Sequence, residues 1–173
     1  KAMRLLMVQL PTSHLGAGER VYPLGLARLS AVVPENIEKC CLDLNLEGDP
    51  WQALKTALVA FSPDVTALSF RNLDPLAGHE ASYLSSLVTA AKMVKILAPN
   101  CRLLAGGPAF SLFAKEMMAA VAQIDYGLVG EGEAAFPQLI APKLNPAVIP
   151  GLVWRSNDGI RLNPPCPKEK LHA

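Results

Sequence analysis

Small and polar residues cluster in four short segments of the chain, and each segment directly follows an apolar run typical of a β-strand. These segments combine hydroxyl, imidazole, guanidinium, amide and carboxylate groups with glycines. Glycines let a ligand approach the backbone closely because they lack a Cβ, and two glycine pairs here would flank one flat or elongated ligand. We assign no catalytic role to these residues, but we predict a binding site formed by Thr12, Ser13, His14, Ser69, Arg71, Asn72, Gly106, Gly107, Gly130, Glu131 and Gly132.

The elements that must position this site alternate between strands and helices. Short apolar runs predict strands over Arg4–Leu10, Ile37–Leu44, Asp64–Phe70, Cys101–Gly106 and Tyr126–Gly130. Apolar residues at three- and four-residue steps predict helices over Leu24–Val33, Pro50–Phe61, Glu80–Leu97, Leu112–Ala122 and Glu133–Ile140. This pattern predicts an α/β fold with a doubly wound, Rossmann-like or flavodoxin-like, five-stranded parallel sheet in the order 2-1-3-4-5. Ligands of such sheets bind beyond the carboxyl ends of the strands, where the four segments lie.

The last thirty or so residues differ in character from the rest, because prolines crowd into them. Within this region, Gly151–Arg155 and Gly159–Leu162 flank an Asn-Asp-Gly turn, which predicts a C-terminal β-hairpin extending one edge of the sheet. We therefore expect a Rossmann-like domain over 1–141, followed over 142–173 by the hairpin and a proline-rich linker.

Composition excludes several classes of function. The formal net charge of +1 is spread without long runs of either sign, so we expect no nucleic-acid partner. No apolar stretch approaches the roughly 18 residues that a membrane span needs, and we expect a cytoplasmic protein without a membrane partner. The four cysteines include no CxxC pair, so we expect buried, unpaired thiols in a reducing compartment.

Five motifs in order carry a family resemblance. They are Tyr-Pro-Leu-Gly-Leu-Ala-Arg-Leu over 22–29, Pro63-Asp64-Val65, Gly106-Gly107-Pro108, Asp-Tyr-Gly-Leu-Val-Gly-Glu-Gly-Glu over 125–133, and Ile149-Pro150-Gly151-Leu152. This set resembles the N-terminal cobalamin-binding domain of cobalamin-dependent radical SAM enzymes, from Met3 to Pro165.

The resemblance implies that cobalamin lies between this Rossmann-like sheet and a following barrel that carries S-adenosylmethionine and an iron–sulfur cluster. Ser69 and Gly106-Gly107 would line the slot for the nucleotide tail, and the loops after strands 1, 3 and 5 would meet the corrin. The cluster-binding CxxxCxxC motif is absent from these 173 residues. We therefore expect a domain of a larger enzyme, most often a methyltransferase, whose partner is a C-terminal radical SAM barrel in the same chain.

The segment after strand 1 departs from a related pattern. Domains similar to that of methionine synthase carry Asp-x-His-x-x-Gly there, and the His becomes the lower cobalt ligand. This chain keeps His14, but Thr12 and Ala17 replace the Asp and the final Gly. The resemblance to radical SAM relatives therefore implies a lower face without a protein ligand, with His14 as the alternative ligand, because a neutral imidazole needs only a free nitrogen and a partner for the other.

Charged residues after strands 3 and 5 have two possible roles. Arg71 would lie under the corrin and disfavour a charged ligand there, or it would bind a corrin amide or pair with Asp74 or Glu131. Glu131 and Glu133 are expected at the start of the last helix, where the helix dipole favours carboxylates. The corrin amides or the ribose could also engage Glu131.

Two rival interpretations stay open. In the first, Thr12, Ser13, Gly16 and Gly18 form a phosphate-binding loop of a flavin- or nucleotide-binding domain, although Val21 occupies the position where a dinucleotide motif needs Gly or Ala. In the second, the chain is a cofactor-free regulatory or interaction module, as receiver domains are. The acidic clusters that receiver domains require are poorly represented here.

Overall fold

The structure is a computed structural model that describes residues 2–12, 21–72 and 83–165. Its centre is a seven-stranded sheet in the order β2-β1-β3-β4-β5-β6-β7. The strands are β1 (Arg4–Gln9), β2 (Glu38–Asp43), β3 (Val65–Ser69), β4 (Arg102–Gly106), β5 (Tyr126–Leu128), β6 (Leu152–Ser156) and β7 (Gly159–Leu162). The first five are parallel, which confirms the predicted order 2-1-3-4-5.

Helices cover both faces of this sheet. They are α1 (Leu24–Ala31), α2 (Pro50–Phe61), α3 (Leu84–Leu97), α4 (Pro108–Leu112), α5 (Ala114–Ala120) and α6 (Phe136–Leu139), with 3₁₀ turns at Leu44–Leu46 and Pro146–Val148. Successive side chains of a strand point to opposite faces, so the strands contribute side chains to two separate hydrophobic cores. In β1, Leu6 and Val8 pack with α2 to α5, whereas Leu5 and Met7 pack with α1 and α6. The doubly wound architecture is thereby confirmed.

The start of α2 shows how local sequence fixes an element. The Asp49 carboxylate accepts hydrogen bonds from the backbone N–H groups of Trp51 and Gln52 at 3.1 and 3.0 Å, and Pro50 occupies the first turn. A capping side chain satisfies N–H groups that have no partner within the helix, and proline tolerates the first turn because it has no N–H to lose. The predicted bounds Pro50–Phe61 are confirmed.

Helix α1 ends two residues before the predicted Val33, and the start of the helix predicted over Glu80–Leu97 lies partly outside the described residues. Two other predicted helices differ more from the structure. The helix predicted over Leu112–Ala122 is instead the pair α4 and α5, because Phe113 adopts φ −133° and ψ 37° and interrupts the helical backbone. The helix predicted over Glu133–Ile140 contracts to α6, whose first turn contains Pro137. In the longer helix the Pro137 ring would clash with the carbonyl four residues earlier.

The C-terminal hairpin extends the sheet beyond β5. Strand β6 pairs antiparallel with β5, and β7 pairs antiparallel with β6 around a turn at Asn157-Asp158. The Ser156 hydroxyl donates to the Gly159 carbonyl at 3.0 Å across that turn. The predicted hairpin and its place at the sheet edge are confirmed.

The cysteines are less uniformly buried than predicted. Cys101 is buried, Cys40 is half-buried and Cys41 is exposed, because β2 is the edge strand of the sheet; Cys166 lies outside the described residues. None of the helices in the described part of the chain is long and apolar enough to span a membrane.

Candidate functional site

A cavity of about 580 Å³ opens at the carboxyl edge of the sheet. The ends of β1, β3, β4 and β5 form its floor, and α1, α6 and the loop after β5 form its walls. Its volume lies within the roughly 300–1,000 Å³ typical of small-molecule sites. Most of its lining is apolar, with Leu26, Ala67, Leu104, Phe136 and Leu139 at its base.

The cavity brings together most of the predicted site residues. From three of the four predicted segments it is lined by Ser69, Arg71, Gly106, Gly107, Gly130, Glu131 and Gly132. These segments lie far apart in sequence but meet because each follows a neighbouring parallel strand. These seven residues therefore lie together at this edge, and their role in binding a ligand stays a prediction.

The first predicted segment is placed differently. Thr12 is buried, and its N–H and hydroxyl both donate to the Asn45 side-chain oxygen, at 2.7 and 3.0 Å. The Asn72 side-chain amide donates to the Thr12 carbonyl at 3.2 Å. Thr12 and Asn72 thus join the ends of the loops after β1 and β3 and do not line the cavity. Ser13 and His14 lie outside the described residues.

The junction between β4 and α4 is held by close backbone packing. Gly107 has φ +107°, and a Cβ added there would lie 2.6 Å from the Phe70 carbonyl oxygen. The Phe70 N–H donates to the Gly106 carbonyl at 2.7 Å, which ties the end of β3 to the end of β4. Only glycine combines this backbone conformation with so close an approach. The double glycine therefore fixes the shape of the cavity floor, whatever it also contributes to binding.

Two charged residues close one side of the cavity mouth. Arg28 Nε on α1 lies 2.5 Å from Glu133 Oε1 in the loop after β5. The expectation that Glu131 and Glu133 begin the last helix is wrong, because α6 begins three residues after Glu133. Glu133 bridges two walls of the cavity, and Glu131 is exposed at its rim.

Arg71 lines the same cavity and is exposed. Within the described residues it forms no ion pair, so the expected pairing with Glu131 is absent there; Asp74 lies outside them. Its carbonyl accepts a hydrogen bond from the Ala109 N–H at 3.2 Å, which fixes the backbone beside the double glycine. The guanidinium group thus borders the cavity without a carboxylate partner among the described residues.

Several lining residues were missed by the site prediction. The segment from Tyr22 to Leu29 forms a wall of the cavity, with Tyr22 and Leu24 72% and 61% exposed. Ser111 also lines the cavity and accepts a hydrogen bond from the Gly130 N–H at 3.0 Å. Gln9, the last residue of β1, is a further lining residue. The signal available in the sequence was the motif over 22–29. This motif places large apolar residues before and at the start of a short helix, where they are exposed.

A family model described as the B12 binding domain matches residues 15–140. The chain belongs to the B12-binding domain family. The match includes the three segments that line the cavity and both walls that face them. Cobalamin, the cofactor for which the family is named, is therefore the expected ligand of the cavity.

The B12-binding domain is similar to larger proteins. An uncharacterised methyltransferase of Pyrococcus horikoshii is 27% identical over 175 residues, which cover 96% of this chain and 36% of the relative. The structure of the radical S-adenosylmethionine methyltransferase TsrM from Kitasatospora setae, solved with cobalamin and a 4Fe-4S cluster, aligns with a TM-score of 0.82 and 23% identity. That alignment covers 99% of this chain and 30% of TsrM.

A second solved structure shares the fold. The cobalamin-dependent S-adenosylmethionine radical enzyme OxsB aligns with a TM-score of 0.66 and 14% identity, over 96% of this chain and 22% of OxsB. At these identities the structural alignments establish the fold of the B12-binding domain. This chain therefore spans about a third or less of the length of these relatives.

Proposed function

We propose that this B12-binding domain holds cobalamin at the carboxyl edge of its sheet, as one part of a radical SAM methyltransferase. The observation that carries the proposal is the cavity itself, which opens at this edge and collects three of the predicted loop segments in a chain of the B12-binding family. The nucleotide tail would enter the cavity, and the corrin would lie over the edge.

The lining of the cavity suits this cofactor. A nucleotide tail is a flat heterocycle followed by a ribose and a phosphate, and such a ligand needs apolar walls with a few polar groups. Leu104 and Phe136 supply apolar surface at the base, and Ser69 supplies a hydroxyl. Nearer the mouth, the backbone at Gly130 is open to a ligand, since a Cβ added there would contact nothing within 4 Å.

The rim of the cavity suits a large apolar macrocycle. Tyr22 and Leu24 line the cavity and are 72% and 61% exposed. Exposed large apolar groups that cluster on one surface mark binding sites. We assign these side chains to contacts with the corrin and with a barrel that covers it.

The lower face of cobalt is proposed to lack a protein ligand. Arg71 lines the cavity without an ion-pair partner among the described residues, and its permanently charged guanidinium cannot coordinate a metal. A fixed cation in that space disfavours a positively charged ligand. Because Thr12 and Ala17 replace the Asp and the final Gly of the Asp-x-His-x-x-Gly pattern, substitution His14→Ala is expected to leave the cobalamin spectrum unchanged.

The activity that we propose for the whole protein is taken from its relatives. Cobalamin bound here would supply a cobalt centre that carries a methyl group, and a barrel in the same chain would supply S-adenosylmethionine and an iron–sulfur cluster. The methyltransferase similarity over 96% of this chain and the cofactors in TsrM support this assignment. This chain's own residues would bind and orient the corrinoid.

Gel filtration with hydroxocobalamin tests the binding proposal. The chain should retain cobalamin with a base-off absorbance spectrum, whereas a yellow flavin spectrum in the purified protein would favour the rival flavodoxin-like interpretation. Gly25 lines the cavity and Gly48 lies outside it, and a Cβ at either position meets nothing within 4 Å. Gly25→Trp should reduce cobalamin retention at least tenfold, and Gly48→Trp should not. Failure of the unmodified chain to bind, or equal binding by both variants, would overturn the proposal.

A further inference from the structure

The loop after β5 is tied to another part of the cavity by a single side chain. Ser111 belongs to α4, the short helix that follows the double glycine, and its hydroxyl oxygen accepts a hydrogen bond from the Gly130 N–H at 3.0 Å. The two residues are 19 positions apart, and both line the cavity. This bond therefore connects α4 to the backbone of the loop at the cavity mouth.

The loop has few other ties at this point. On one side, the Val129 N–H donates to the Gly151 carbonyl at 2.9 Å. On the other side, the Gly132 carbonyl accepts hydrogen bonds from the N–H groups of positions 135 and 136, at 3.1 and 2.7 Å. Two residues lie between these anchors. Among the residues that the structure describes, the Ser111 bond is the only hydrogen bond that reaches their backbone.

Neither the residue type nor packing fixes the backbone at Gly130. Its φ is +79°, and glycine adopts positive and negative φ about equally readily. The residue is exposed, and a Cβ added there would contact nothing within 4 Å, so no neighbour confines it. Gly132 differs, because its position is packed against Leu128 and Leu29. The hydrogen bond to Ser111 is therefore the contact that selects the conformation of this stretch.

Ser111 itself is firmly placed. Its N–H donates to the Gly107 carbonyl at 2.9 Å, and Gly107 lies directly against the Phe70 backbone. Phe110, the preceding residue of α4, is fully buried. A serine hydroxyl within a helix can bond to a carbonyl of its own helix, but this one binds the loop. The loop after β5 is thereby held to the same glycine junction that shapes the cavity floor.

We propose that Ser111 is a positioning residue for the cofactor, because it holds Gly130 and Glu131 in one conformation at the cavity mouth before the corrinoid binds. The inference rests on the proposed function. A loop that is ordered in advance loses no conformational freedom on binding, which strengthens affinity. Without the hydrogen bond, only a fraction of the molecules would present the competent loop, and the apparent dissociation constant would rise by the inverse of that fraction.

Dissociation constants for hydroxocobalamin measure the effect of this bond. Ser111→Ala should weaken binding roughly two- to tenfold, because about one net hydrogen bond is lost from the unbound loop. Ser111→Thr keeps a hydroxyl at the same position and should stay within about twofold of the unmodified chain. Ser156→Ala is the matched control, since the Ser156 hydroxyl also accepts a backbone N–H, from Asp158 at 3.3 Å, but in the β6–β7 turn outside the cavity. It should leave the affinity unchanged.

Hydrogen exchange of the unbound chain, followed by NMR, separates positioning from direct contact with the cofactor. The Gly130 amide should exchange at least about twofold faster in Ser111→Ala than in Ser111→Thr, because opening of the loop exposes it. A serine that only contacts the cofactor would leave this exchange rate unchanged. Alanine has a higher helix propensity than serine, so Ser111→Ala is expected to keep α4 folded.

The inference is wrong, and the proposed function stands, if Ser111→Ala weakens binding without faster exchange of the Gly130 amide, because Ser111 would then contact the cofactor directly. It is also wrong if the affinity is unchanged, whatever the exchange rate, or if Ser111→Thr binds as weakly as Ser111→Ala. If the unmodified chain retains no hydroxocobalamin, the proposed function fails and the inference fails with it.

Discussion

Substituting Gly107 tests the backbone geometry on which the cavity floor depends. In Gly107→Ala the new Cβ would lie 2.6 Å from the Phe70 carbonyl oxygen, at φ +107°. Holding a non-glycine residue in such a region costs about 1–3 kcal/mol. Relief of the contact requires the backbone to move, which weakens the Phe70–Gly106 hydrogen bond by about 1 kcal/mol. We therefore expect the free energy of unfolding to fall by about 3 kcal/mol.

Gly25→Ala provides a control of opposite sign. Gly25 lies within α1, and a Cβ added there meets nothing within 4 Å. Alanine favours the helix over glycine, so this variant should gain about 0.5–1 kcal/mol. Both substitutions add one methyl group to a glycine that lines the cavity. The two positions differ in backbone conformation and in the space available to the new methyl group.

Urea unfolding followed by far-UV circular dichroism measures both variants. For a chain of this length, 1 kcal/mol shifts the melting temperature by about 2–4 °C, so Gly107→Ala should melt about 6–12 °C lower. The reasoning fails if Gly107→Ala stays within about 1 kcal/mol of the unmodified chain, because the strained φ carries at least that cost. It also fails if Gly25→Ala is equally destabilising, because the effect would then belong to any added methyl group.

Three further substitutions or reactions test other parts of the structure. Arg28→Ala removes the 2.5 Å pair with Glu133, and because both groups are partly exposed the loss should be under about 1 kcal/mol and vanish in 1 M NaCl; a loss that persists in salt contradicts an ion-pair origin. Arg155→Met removes a guanidinium that donates to two carbonyls near the end of α5, and urea unfolding should show a loss of about 2–3 kcal/mol; unchanged stability would exclude those bonds. Burial raises the pKa of the Cys101 thiol above 9.0, so thiol reagents should label Cys41 in the folded chain but Cys101 only on unfolding. Because the pKa of the Cys101 thiol is raised in the folded chain, the neutral thiol stabilises the fold fully below pH 9, and this stabilisation is lost as the pH rises further. Reaction of Cys101 in the folded chain at pH 8 would contradict its burial.

The central strands of the sheet were predictable because they are short, apolar and bounded by turn residues. Parallel strands covered on both faces carry continuous apolar runs, and the run over 5–8 in β1 illustrates this pattern. The Asp49-Pro50 pair likewise contains in two residues all that is needed to start α2. These signals are local, and local signals survive folding when the tertiary structure does not oppose them.

The break between α4 and α5 depends on tertiary packing and has no local signal. Phe110 is fully buried against Gly127, where a Cβ would lie 2.4 Å from the phenyl ring. Met117 and Met118 are buried as well, in the next helix. Positions 110, 117 and 118 are spaced as on one face of a single helix, so their apolar pattern does not reveal that the backbone turns at Phe113. The periodicity over 112–122 cannot reveal a partner on a distant strand.

The site residues divide in the same way. Glycines after β4 and β5 were identified because their position after a strand is visible in the sequence, whereas Gln9 belongs to a strand and would be taken for part of the core pattern. Thr12 was identified for its place after β1, but its hydroxyl is bound by Asn45 from 33 positions away. Polar side chains near a sheet edge can serve the ligand or the loops, and only their hydrogen-bond partners separate these roles.

The shortened last helix explains why the cavity exists on this face of the sheet. Four helices cover the opposite face, whereas α1 and the four residues of α6 cover this one. The longer predicted helix would have begun at Glu133, which instead lies in the loop that lines the cavity. Pro137 prevents that longer helix, and Gly132 packs so closely that a Cβ would lie 2.9 Å from Leu128 and 3.0 Å from Leu29. Pro137 therefore explains why the helix is shorter than its periodicity predicts, and the segment before α6 stays outside a helix.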